Sequence, residues 1–155
     1  MEYANRLDIF EPGDLTAIVC TDVPEVQRLL VDQLTSLNYK IHTGLFVEDI
    51  LLKLRSHTYD VVLITENFAA TDITSNPILQ EATGAPSAQR RKQLIVLIGS
   101  SVGTNDELQS FQHSVDMVVN LSDVMNLRPV LRRALLRSQE FYAPLHESLK
   151  AAGMA

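Results

Sequence analysis

The chain has 155 residues, 46% of them hydrophobic and 21% charged, with 6 Gly, 6 Pro, no Trp and a formal net charge of −6. That length and apolar content suit one domain that buries its own core, and they exclude a disordered chain. A single cysteine, Cys20, excludes an internal disulfide and a cysteine-rich zinc module, the acidic balance argues against nucleic acid as a partner, and no apolar run is long enough to span a bilayer.

Residues 1–14 read as an N-terminal arm closed by the turn signal Glu11-Pro12-Gly13-Asp14, with Leu7, Ile9 and Phe10 expected to pack on the domain. The arm has no basic stretch followed by an apolar one, so it is not read as a secretory signal, and the expected location is cytoplasmic. Four apolar runs follow as strands: Leu15–Cys20, Val61–Ile64, Leu94–Ile98 and Met117–Val119. They are continuous rather than alternating, the pattern of a parallel sheet covered on both faces. Lys40–Thr43 is a weaker run suited to an edge strand.

Helical periodicities separate the runs. Val26, Leu29, Leu30, Leu34 and Leu37 form one stripe, opened by Asp22, Pro24 and Glu25; Asp22 is assigned here as the helix cap. Phe46, Ile50, Leu51 and Leu54 mark a second helix. Asn76-Pro77 opens a short one ended by Gly84-Ala85-Pro86. Leu108 and Phe111 mark another after the capping stretch Thr104–Glu107. The last helix starts near Leu127 and carries apolar residues past Leu149, with Pro144 expected to kink or interrupt it. Strand-helix alternation throughout predicts an α/β sandwich with right-handed crossovers. The cluster Arg90-Arg91-Lys92 is either a solvated approach to a buried strand or a site for an acidic partner.

Other chemistries lack their residues. His42, His57, His113 and His146 show no paired metal spacing, so no metal site is assigned. Cys20 stands at a strand end, but no arginine follows six residues on, and a buried structural thiol is expected. Gly99-Ser100-Ser101-Val102-Gly103 lacks the lysine and spacing of a P-loop.

Three segments carry a resemblance: Ala17-Ile18-Val19-Cys20-Thr21-Asp22-Val23-Pro24-Glu25-Val26, Tyr59-Asp60-Val61-Val62-Leu63-Ile64-Thr65 and Ser114-Val115-Asp116-Met117-Val118-Val119. Together they resemble the receiver domain of bacterial response regulators, over residues 15–138. The resemblance implies a flavodoxin-like, doubly wound sheet of five parallel strands in the order 2-1-3-4-5, with residues 139–155 as a helical extension. It also implies a phosphoacceptor aspartate after the third strand, an acidic pair for Mg²⁺ after the first, a hydroxyl after the fourth and a lysine after the fifth. Here those positions fall on Thr65, on Thr21 and Asp22, on Ser100 or Ser101, and on Leu121. A one-residue slip would put Glu66 at the acceptor position, against the anchor that Asp60 supplies.

A closer likeness is to the receiver-like C-terminal domains of deltaproteobacterial zinc-ribbon proteins. It rests on Asn76-Pro77, Arg90-Arg91, Phe111 and Phe141-Tyr142, and the ribbon cysteines are absent, as in an excised domain or a member without the ribbon. The expected function is therefore a non-catalytic pseudoreceiver: a protein-interaction module in bacterial signal transduction that is not an enzyme, uses no cofactor and takes no phosphate on aspartate. Phe141, Tyr142, Leu145 and Leu149 form the candidate interaction surface, for a protein partner or a homodimer, with neither nucleic acid nor membrane as a partner. The alternative is a small-ligand sensor built on Thr21, Asp22, Thr65 and Ser100, and the third reading is an atypical phosphate-accepting regulator.

Overall fold

The computed structural model describes residues 9–44, 46–68 and 72–153. Five strands, β1 (Thr16–Cys20), β2 (Lys40–Gly44), β3 (Val61–Thr65), β4 (Leu94–Gly99) and β5 (Met117–Asn120), form one parallel sheet in the order β2-β1-β3-β4-β5. The helices are α1 (Pro24–Ser36), α2 (Val47–Ser56), α3 (Pro77–Thr83), α4 (Ser87–Arg90), α5 (Glu107–Gln112) and α6 (Leu127–Ala151), the last preceded by a 3₁₀ turn over Leu121–Asn126. The expected fold is the observed one, and Lys40–Gly44 is the edge strand.

Side chains of each inner strand leave alternately to two cores. Ala17, Val19, Val61, Leu63, Val96 and Val119 pack under α1 and α6, on Leu30, Leu34, Leu127 and Leu131. Ile18, Cys20, Val62, Ile64, Ile95 and Val118 pack under α2 and α3, on Ile50, Leu54, Ile78 and Ala82. Burial on both faces explains why the apolar runs are unbroken.

Carboxylates pin the feet of the strands. Asp60, just before β3, accepts from the Thr16 amide at 2.8 Å and from its hydroxyl at 3.3 Å. Asp116, just before β5, accepts from the Ile95 amide at 2.7 Å. Each ties a strand to its parallel neighbour and fixes the register between them.

The structure departs from the sequence reading at several points. Val23, not Asp22, is the N-cap of α1, and no side chain caps it. Pro24 at the first helical position drives its predecessor into extended backbone, so the helix starts one residue later. Phe46 is the extended residue before α2 and is 71% exposed rather than in the core. Leu108 and Phe111 lie on the exposed side of α5, a helix that buries no residue. In the arm, Phe10 packs as expected, its ring stacked 4.2 Å from that of His42, but Ile9 is exposed and Leu7 lies outside the described residues. Pro144 does not interrupt α6, which continues through it to Ala151. The proline removes one donor, whose acceptor would be the carbonyl of Glu140, an exposed residue.

A polar contact closes the α1–α6 core. The buried Gln33 amide donates to the Val124 carbonyl, while its oxygen accepts from the Arg128 amide at 3.1 Å. Asn126, the N-cap of α6, makes no side-chain cap bond, so a glutamine from another helix satisfies that end.

Replacing Asp60 by alanine leaves the Thr16 amide without this acceptor and should cost about 1–3 kcal/mol in urea unfolding. Asp60→Asn keeps an acceptor oxygen and should lose less; equal losses would refute the pinning role.

Candidate functional site

The C-terminal ends of β1, β3, β4 and β5 bring together the loops where the sequence places its candidate residues. Thr65, the last residue of β3, is 6% exposed, and its hydroxyl donates to the Cys20 carbonyl on β1 at 3.3 Å. Thr21 is fully buried and its hydroxyl accepts from the Val23 amide at 3.3 Å. Asp22 is exposed. Ser100 is exposed and Leu121 is 39% exposed at the start of the 3₁₀ turn. The hydroxyl near the end of β4 that is engaged inward belongs to Ser101: it donates to the Glu66 carboxylate, which also accepts from the Ser101 amide at 2.9 Å.

Thr65 pairs with Ile98, and Asp60 holds the foot of the same strand five residues earlier. Glu66 follows the last residue of β3, its carboxylate turned toward Gly99 of β4 and Ser101. The donor set does not fit a divalent cation: the two threonine hydroxyls are engaged with backbone groups, Glu66 is engaged by Ser101, and Asp22 is the carboxylate left from the expected pair. Among the described residues, no cluster of three or more His, Cys, Asp or Glu could hold a metal ion. Cys20 is fully buried at the end of the inner strand β1, and burial pushes its thiol far above the ordinary range. That is the opposite of an activated nucleophile.

Asparagines complete the framework. Asn76 accepts from the Ile78 and Leu79 amides at 3.0 and 3.1 Å, capping α3, and donates back to the Thr65 and Glu66 carbonyls at 3.0 and 3.2 Å. The sequence signals the cap through Asn76-Pro77 but not the second pair of bonds. Asn120 donates to the Val102 carbonyl at 2.7 Å and caps the 3₁₀ turn through the Ser122 amide at 2.9 Å.

The candidate interaction residues lie on the distal half of α6. Leu127, Leu131 and Ala134 are buried, whereas beyond Ser138 no described residue is. Phe141 is 77% and Leu145 37% exposed; Tyr142 and Leu149 are half-buried. Phe141 and Tyr142 line a depression of about 400 Å³ with Asp116, Met117, Arg137 and Ser110, between α5, β5 and α6. Of the basic cluster, Arg90 bonds inward to the Thr83 and Ser114 carbonyls at 3.0 and 2.8 Å, Arg91 is half-buried and Lys92 is exposed.

Burial pushes the Asp116 carboxyl above its ordinary value of 3.8, against the Ile95 amide and the Arg90 guanidinium, which both lower it. Folding then takes up a proton between the unfolded and folded values. This contribution to stability is full below the unfolded value and is lost as pH rises through the folded one. A side-chain carboxyl NMR titration should place the Asp116 midpoint above 3.8, and Asp116→Asn should remove its share of the slope. A midpoint at or below the ordinary value would contradict this environment.

No protein-family model matches the chain, and no curated protein matches its sequence. Solved structures do match its fold. A CheY-like response regulator receiver domain from Methanospirillum hungatei JF-1 aligns with a TM-score of 0.64 at 8% identity, covering 83% of this chain and 98% of that one. The receiver domain of the Francisella response regulator 1452 aligns at 0.62 and 10% identity, covering 81% and 99%. The receiver domain of the sensor histidine kinase PA1611 from Pseudomonas aeruginosa PAO1, solved with magnesium coordinated in its active-site cleft, aligns at 0.61 and 17% identity, covering 79% and 98%. The chain has the receiver-domain fold, carried on a sequence far from those of these structures.

Proposed function

We propose that this chain is a pseudoreceiver, a non-catalytic protein-interaction module in bacterial signal transduction that works without aspartyl phosphorylation. The observation that supports the reading is Thr65: it ends β3, where the resemblance calls for the acceptor aspartate, and its hydroxyl donates to the Cys20 carbonyl. An alcohol cannot form an acyl phosphate. Around it, Thr21 replaces one carboxylate of the acidic pair and Leu121 replaces the cation that would neutralise phosphoryl oxygens. The remaining polar groups Thr21 and Thr65 spend their hydroxyls on backbone atoms, which favours an interaction module over a small-ligand sensor at the same place. The likeness to the receiver-like domains of zinc-ribbon proteins belongs to the same reading. Two of its landmarks, Asn76 and Arg90, have framework roles. A third, Phe141-Tyr142, lies on the part of α6 that buries no described residue. Signalling of this kind takes place in the cytoplasm; among the described residues no helix is long and apolar enough to cross a membrane.

Incubation with acetyl phosphate and Mg²⁺ should leave the mass of the chain unchanged, and beryllofluoride with Mg²⁺ should leave the amide resonances of Asp22 and Thr65 in place. A near-stoichiometric acyl phosphate would overturn the reading.

The proposed contact surface is the distal stripe of α6. A helix of 25 residues is about 37 Å long. Beyond Ser138 it keeps apolar residues at Phe141, Tyr142, Leu145 and Leu149. Phe141→Glu with Leu145→Glu should leave the unfolding midpoint nearly unchanged, since neither side chain is buried, while abolishing self-association or partner binding of the full chain. A large loss of stability would instead make the stripe part of the core.

A further inference from the structure

Glu66 is a buried carboxylate that neither the receiver pattern nor the proposed contact surface uses. It is 9% exposed. Its main chain is held on both sides: the amide donates to the Ile98 carbonyl at 2.9 Å and the carbonyl accepts from Asn76 at 3.2 Å. Its two carboxylate oxygens take the Ser101 amide and the Ser101 hydroxyl. The side chain crosses directly over Gly99, where an added Cβ would overlap Glu66 Cγ, Cδ and Oε1. Gly99 is not in the left-handed region that favours glycine, unlike Gly13 and Gly153. Space for Glu66 is therefore the reason for a glycine at this position.

The contacts continue outward from Ser101. Its carbonyl accepts from the Gln109 side chain at 3.3 Å, and the same amide's oxygen accepts from the Gly103 amide at 2.7 Å. Gln109 belongs to α5, which buries no residue of its own. Its own residues supply no apolar anchor, so between the buried Val102 and Val115 that flank it α5 is held by polar contacts of this kind.

We propose that Glu66, Gly99 and Ser101 form a built-in latch that fixes the loop from β4 into α5. An internal carboxylate thereby sets the orientation in which α5 presents exposed Leu108 and Phe111. The latch extends the pseudoreceiver reading but rests on a different contact, and the two fail separately: labelling by acetyl phosphate does not bear on it.

The test uses the full chain as wild type, Glu66→Ala, Gly99→Ser, the double variant and Glu66→Gln, read by residue-resolved amide exchange and urea unfolding. Glu66→Ala should speed exchange on the order of tenfold at Ser101 and through Gln109–His113, relative to the β3 amides of the same variant. Gly99→Ser, by evicting the carboxylate, should reproduce that local pattern, and in the Glu66→Ala background it should add nothing. Glu66→Gln keeps an acceptor for the Ser101 amide and should restore most of the protection. Unchanged exchange in α5 after Glu66→Ala, or additive effects of the two single changes, would overturn the latch. Because exchange is compared with β3 within each variant, a general loss of stability cannot imitate the result.

Discussion

A parallel sheet buried on both faces leaves its strand ends to be satisfied by side chains, since no hairpin closes them and helices occupy both sides. Asp60 carries most of that duty. By accepting from both the amide and the hydroxyl of Thr16, it sets β3 against β1, and the rest of the upper face follows by counting. Five residues on stands Thr65, and the next side chain, Glu66, points at β4. Asp116 repeats the device between β4 and β5 at the other side of the sheet.

The same geometry bears on the proposed pseudoreceiver reading. Several carboxylates at one corner repel one another unless a cation or basic group holds them. Here the neutral hydroxyls at 21 and 65 bond to nearby backbone. The Glu66 carboxylate has two donors of its own on Ser101. The absence of a side chain at Gly99 leaves room for it.

The fold was legible because four of its five strands are built on contiguous apolar runs separated by periodic stretches, and because Asp60 and Asp116 immediately precede two of them. The cap of α3 was legible too, as Asn76-Pro77 is a local signal. What escaped depends on partners distant in the chain. Gln33 serves residues 91 and 95 positions away, and its only trace in the sequence is a polar residue inside an apolar stripe. The choice of Ser101 over Ser100 depends on where β4 ends, which a run of small residues leaves open. Exposure of Phe46, Leu108 and Phe111 escaped because periodicity reports which side chains could face a core, not whether a core lies opposite them.

The lone thiol has a consequence of its own. Cys20 closes the inner strand β1 between Gly44 and Ile64, is fully buried, and is held in its protonated, unreactive form by that burial. A thiol reagent meets it as a thiolate only after β1 has parted from its neighbours. Its rate of alkylation therefore counts openings of the sheet, and the native chain carries an intrinsic clock for its own unfolding that requires no engineered label. For the same reason, folded copies stay free of intermolecular disulfides in oxidising buffers, and any covalent dimer that accumulates marks molecules whose first strand has come loose.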